Sequence, residues 1–198
     1  MTPAEVGPQL QRDPLGGTAH ALPTVTETWL RLDQRENAID DLAMCHRFLR
    51  EVRSETRWKW AIIALHQALY GFCICAVQGA DGLSVLKDPA NPSSQLISIH
   101  EALKRAKDKK NLWPGATPLS TTPAEDKALD KVIREFRNGF AHFAVSGWSI
   151  ETSGMPTLLR HVIRVVRGVA LDSNSIRYHP EAQRQMVTEL LSQLDADL

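Results

Sequence analysis

Arg137, Asn138 and His142 stand in REFRNGFAHF, residues 134–143, among apolar or small residues. Four residues separate the arginine from the histidine. A guanidinium fork can hold two phosphate oxygens and stabilise charge that develops on them. An imidazole takes or gives a proton near neutral pH. RNA brings its own nucleophile, the 2′-hydroxyl, so such a pair could break an RNA strand with no metal or other cofactor. The same residues could equally be a solvated face, since charged side chains away from a core need no special explanation.

The helix that carries them is readable. Leu129, Val132, Ile133, Phe136, Phe140 and Phe143 recur at i, i+3, i+4, i+7, i+11 and i+14 and define a core face. On an ideal helix Arg137 lies about 100° and His142 about 240° round from Phe136. The face opposite the core is then Arg134, Arg137, Asn138, Ala141 and His142. Ala141 leaves room for a phosphate or a second helix. About 140° between Arg137 and His142 is awkward for one chain acting alone. A two-fold axis over this face would bring two arginines and two histidines round one cleft, so a homodimer is expected.

Helices separated by loops account for the rest of the chain. TVTE, residues 24–27, and TTPAE, residues 121–125, both read as capping boxes, the second with Pro123 at the first helical position. A first helix is expected from Thr24 to about Glu55, with Leu32, Ile39, Leu42, Cys45, Leu49 and Val52 as its stripe. A second runs from Arg57 to about Gln78. It is apolar except for one seam of Lys59, His66 and Tyr70 with Gln67 and Gln78 beside it, and His66 and Tyr70 read as satisfied core groups. A third is expected over Gln95–Lys109. The fourth carries the opening stretch. A fifth starts at Pro156 and runs to Ala170. A sixth starts at Pro180, with Met186, Val187, Leu190, Leu191 and Leu194 on one face. GWSIE, residues 147–151, reads as one extended connection. The fold class is all-α, a helical bundle of five to six helices.

Composition narrows the partners. The 198 residues include 23 basic and 23 acidic side chains, so any nucleic-acid partner must be met by local patches. KRAKDKK, residues 104–110, is one candidate, with Lys104 and Arg105 as RNA contacts. Arg160, Arg164 and Arg167, at i, i+4 and i+7, are another, and Arg134 a third. Each reads alternatively as a wet helix face. Residues 1–23, rich in proline and glycine, are expected to be a disordered tail ahead of a single domain, 24–198. WAIIALHQALYGFCICAV, residues 60–77, is about long enough to span a bilayer. Its His66, Gln67, Tyr70 and Gly71 argue for a buried core helix, so no membrane is expected. Three cysteines without metal-ligand spacing suit a reduced, cytoplasmic setting. His100, His161 and His179 share no metal-ligand spacing either. The tryptophans Trp58, Trp60, Trp113 and Trp148 read as packing residues.

RNGFAH resembles the Arg-x4-His form of the motif of the HEPN superfamily, including the polar residue that often follows the arginine. The resemblance covers roughly residues 25–195. It implies a small helical bundle, commonly dimeric. Many such proteins are metal-independent ribonucleases, several of them toxins or phage-defence effectors; others are non-catalytic modules that bind a nucleotide, RNA or a protein. Carried over, it puts Arg137 and His142 in the active site with Asn138 assisting, and makes an antitoxin protein a partner to consider. Some toxin–antitoxin members have a tyrosine two residues after the histidine, where this chain has Ala144. A third reading is a purely structural dimer, with Arg137 paired to Asp130 or Glu135.

Overall fold

The computed structural model describes residues 30, 32–51, 53–80, 82–141 and 147–198. The expected tail, the Thr24–Glu27 capping box, Val52, His142, Phe143 and Ala144 lie outside the described residues. Leu32–Leu198 form one compact unit. Its elements are α1 (Gln34–Glu51), α2 (Arg57–Val77), α3 (Ile99–Ala106), α4 (Pro123–Asp130), α5 (Arg137–Ala141), α6 (Met155–Arg167) and α7 (Glu181–Asp197). A π-helical turn, Lys131–Phe136, joins α4 to α5 in one rod, and a second, Gly168–Asp172, prolongs α6. The all-α expectation therefore holds, with six helical rods among the described residues. Their only β pairing is one bridge, Leu86 with Leu96.

α2 is the centre. Ile62, Leu65, Leu69 and Phe72 are fully buried, and each stabilises the fold by roughly 1.5–3 kcal/mol. Its length and apolar composition would also suit a membrane span; here α1, α3, α5 and α6 pack round it. α1 comes close because both helices carry small residues at the crossing. A Cβ on Gly71 would sit 2.7 Å from the Ala38 Cβ. Cys45 and Cys73 are buried and Cys75 is half-buried, all three as free thiols.

Element ends follow side-chain chemistry. α1 begins at Gln34, ten residues later than the first expected cap. Its cap is Asp33: the Glu36 N–H donates to Asp33 Oδ1 (2.7 Å) while the Asp33 N–H donates to Glu36 Oε2 (3.0 Å). Leu32 precedes it and is 49% exposed, so it is not part of the stripe. α3 is shorter than expected. Leu96 is held in the bridge, and Ser98 caps the helix by accepting from the Glu101 N–H. At its other end Asp108 accepts from the Lys110 N–H and starts a separate 3-10 turn, Lys109–Asn111. The Thr122–Glu125 capping box forms as expected. α7 buries Val187, Leu191 and Leu194, while Met186 is 51% exposed. Residues 147–151 form an irregular connection, not a strand.

Candidate functional site

The rod α4–π–α5 sets the site. A uniform α-helix through Leu129 and Phe140 would place Arg137 well off the core. The observed turn is wider: the Arg137 N–H donates to the Val132 carbonyl, five residues back. Val132, Ile133 and Phe136 stay buried through it. A π turn holds more residues than an α turn, so each residue rotates the chain by less than about 100°. Relative to Leu129, Arg137 is carried back toward the buried side. Arg134, Asn138 and Ala141 are exposed as expected, but Arg137 is half-buried. This corrects the simple projection.

What Arg137 meets is α2. The His66 imidazole is only 6% exposed. Its proton affinity is pushed down to about 4, chiefly by burial and next by the Arg137 charge; His100 on α3 adds to this, and a hydrogen bond with Gln67 opposes it. His66 Nδ1 lies 3.2 Å from Gln67 Oε1. With Nδ1 as donor to that oxygen, Nε2 is the free acceptor. Tyr70, one turn on along the same seam, donates its hydroxyl to the Ile97 carbonyl at 2.6 Å and so ties α2 to the start of α3.

Arg137 differs from the cations around it. Arg134 pairs with Asp130 (2.6 Å), Lys107 with Asp126 (2.8 Å), Arg105 with Glu101 (2.8 Å) and Arg167 with Asp195 (2.6 Å). Arg137 makes no ion pair among the described residues. Its Nη1 donates to Asn138 Oδ1 at 3.1 Å, and Asn138 Nδ2 donates to the Arg134 carbonyl. Asp130 is engaged by Arg134, so the purely structural pairing of Arg137 with Asp130 does not form, and Glu135 makes none with it among the described residues.

The basic candidates divide. Arg105 braces the fold, since it also donates to the Ser84 carbonyl at 2.6 Å. Lys109 donates to the Ala116 carbonyl, and Lys107 to Thr121 and Asp126. KRAKDKK is therefore mostly consumed within the chain. Lys104 is exposed and borders a groove of about 330 Å³ with His100, Lys107, Asp130 and Ile133, one turn before Arg137. Arg160 is half-buried and Arg164 exposed, and neither forms an ion pair among the described residues. Arg134 is exposed but paired.

A larger cavity, about 620 Å³, shares no lining residue with that groove. Phe136, Trp148, Ile150, Met155 and Leu158 give it an apolar wall, and His161 reaches it with a buried Nδ1 that has no hydrogen-bond partner among the described residues. Trp148 packs on Phe140 and over Gly139, where a Cβ would come within 2.5 Å of the indole. The four tryptophans read as packing residues do pack: Trp58 donates to Glu55, Trp60 stacks on Phe48 and Trp113 lies under Arg177.

Nothing in the local spacing of the sequence joins His66 to Arg137. The signal was there in another form, as a polar seam on an otherwise apolar helix, and it needed the packing of α5 on α2 to acquire a partner. Among the described residues no group of three or more His, Cys, Asp or Glu side chains is placed to hold a metal ion. Compared with protein-family models, curated proteins and solved structures, the chain finds no match.

Proposed function

We propose that this chain is a HEPN-like, metal-independent endoribonuclease acting through Arg137 and His142 with Asn138 assisting. The observation that carries the reading is the state of Arg137. It is half-buried on a helical rod and, among the described residues, is held by an amide alone with no carboxylate to neutralise it. An arginine kept in that state is prepared for an anion from outside, and a phosphodiester fits its planar fork.

The chemistry is acid–base. A histidine takes the 2′-OH proton as O2′ attacks phosphorus. The P–O5′ bond breaks, the leaving oxygen accepts a proton, and a cyclic phosphate and a 5′-hydroxyl result. Arg137 stabilises the charge on the non-bridging oxygens. The exposed Asn138 and Ala141 are the surface through which two copies would approach, giving a homodimer. Lys104, Arg160 and Arg164, which form no ion pair among the described residues, would follow an RNA backbone. Action as a toxin or defence effector with an antitoxin partner, in the cytoplasm, belongs to the same proposal.

The test is incubation of pure protein with total RNA in EDTA. Cleavage is expected, lost in Arg137→Ala and His142→Ala, poor in Arg137→Lys, and blocked by a 2′-deoxy substitution at the scissile nucleotide. Cleavage undiminished in His142→Ala would sink the reading. A second reading, a non-catalytic module that grips a nucleotide, RNA or a protein partner, is favoured by one observation. The imidazole Arg137 faces among the described residues is a weak base at neutral pH. It predicts no cleavage under any condition and weakened binding in Arg137→Ala.

A further inference from the structure

We propose that the cavity of about 620 Å³ between the α4–α5 rod, residues 148–151 and α6 binds a neutral, planar nitrogen heterocycle, the class to which the nucleobases belong. Arg137 does not line it, so the inference stands apart from the nuclease reading.

The size suits a small molecule, since such sites run from about 300 to 1,000 Å³. The floor is apolar and fixed. Phe136 of the rod and Met155 of α6 are both 2% exposed and both line it. Trp148 is different, with 43% of its surface open. How it is held explains why. The benzo edge of the indole, Cζ2, Cζ3 and Cη2, is what meets Gly139, and a Cβ there would come within 2.5 Å of it. The Phe136 and Phe140 rings lie tilted to the indole, at 48° and 56°, and do not stack on it. Edge contacts thus fix the indole in place and leave a face for another ring to stack on.

The rim selects against charge. Lys127 and Lys131 stand there with Glu135 and Glu151, two cations with two carboxylates, all exposed. The Lys131 ammonium lies over the Phe136 ring at 5.1 Å, and the Glu151 carboxylate accepts from the Ser153 N–H at 2.7 Å. Such a rim favours neither an anion nor a cation, but it sets donors beside acceptors at the mouth of an apolar slot. The complement is a molecule apolar on its faces and polar along its edge. A fatty chain would use the floor and leave the rim idle. His161, on the α6 side, has a buried Nδ1 with no hydrogen-bond partner among the described residues. A half-turn of the imidazole exchanges Nδ1 with Cδ2, so the ring can offer a ligand the nitrogen it now leaves unused. A free nucleoside and an unpaired base in a strand present the same stacking face.

The experiment adds adenosine to the full chain and follows the indole N–H signals by NMR, with Trp148→Phe to assign the one that matters. The Trp148 signal is expected to shift saturably while those of Trp58, Trp60 and Trp113 stay in place. Trp148→Ala should weaken binding about tenfold or more in calorimetry, the ordinary loss when a stacking partner is removed. His161→Phe, which keeps a ring and removes its nitrogens, should weaken it several-fold. Thr157 is an exposed lining residue of α6. Thr157→Phe therefore fills the slot without touching the core and should abolish binding at an unchanged melting temperature, so the test stands even where Trp148→Ala fails to fold. A Trp148 signal indifferent to millimolar adenosine, or a shift that survives in folded Thr157→Phe, overturns the proposal. So does saturable binding of decanoate with no response to adenosine, which would make the cavity a lipid-chain site. A tetranucleotide of deoxyadenosine, lacking the 2′-hydroxyl, separates the sources. Tighter binding than adenosine, with the same Trp148 response, assigns the ring to a strand, and equal binding assigns it to a free nucleoside. Adenosine binding without RNA cleavage sinks the nuclease reading and leaves this site standing. Cleavage with no Trp148 response does the reverse.

Discussion

Two π turns among the described residues interrupt this bundle, and they are handled differently. After Gly168–Asp172 the freed backbone is satisfied from within. The Ser173 N–H donates to the Gly168 carbonyl, the Ser173 hydroxyl to Val169 (2.9 Å), and the Tyr178 hydroxyl to Ala170 (2.9 Å). Ser173 and Ser175 are buried and hydrogen-bonded to each other, and the arginine before the turn is tied to Asp195. After Lys131–Phe136 the chain instead presents an arginine with no acid partner among the described residues, whose charge acts on the buried His66. π turns often mark functional sites. The contrast shows that the turn itself is not the mark; what matters is whether the side chains it displaces find partners inside the fold.

Breaking the comparison at its stronger end means removing Arg137. Under the nuclease proposal Arg137→Ala lowers the RNA cleavage rate about a hundredfold or more, while Ser173→Ala leaves the rate of the folded protein unchanged. Equal losses in the two would dissolve the distinction. Next in size is the pH dependence set up at the first turn. His66 titrates at about 4 in the folded chain and near 6.5 when unfolded. The unfolded state therefore binds its proton first. Stability from this group is complete above about pH 6.5 and is lost as pH falls toward 4, by up to about 3 kcal/mol. Burial also raises the Asp41 carboxyl to about 6, with opposite sign in the overlapping window, so the informative quantity is the difference between His66→Gln and the parent in denaturant melts. A pH slope unchanged by the substitution would remove the buried neutral histidine from the account.

The second turn predicts smaller, purely structural effects. Ser173→Ala strands the Val169 carbonyl and the Ser175 hydroxyl and should cost roughly 1–2 kcal/mol in urea unfolding. Arg167→Ala breaks a partly exposed ion pair and should cost less than about 1 kcal/mol. A larger loss from Arg167 than from Ser173 would mean that the surface pair, and not the buried hydroxyls, secures this turn.

The sequence made the helices legible because their periodicity is a direct image of burial. α2 begins where its apolar run begins, and Thr122, Pro123 and Glu125 announce α4 through local chemistry alone. The start of α1 was misplaced because TVTE has the same form as the cap that operates, Asp33 with Glu36. Both π turns were invisible, since they change rotation per residue without changing which residues are apolar. That is why Arg134, Asn138 and Ala141 were placed on the open face while the inward turn of Arg137 was missed. The loss of Arg105 and Lys107 from the free basic surface was also illegible: their partners, Ser84 and Asp126, are about twenty residues away along the chain.

The three thiols of α1 and α2 give the bundle a built-in clock. Burial pushes Cys45, Cys73 and Cys75 up to about 12, so almost none of each is thiolate near neutrality. A thiol reagent must wait for the bundle to open before it can react at Cys45 or Cys73, both fully buried. Labelling of those two positions in step would mean that the bundle opens as a unit, and its rate would time that opening without any added probe.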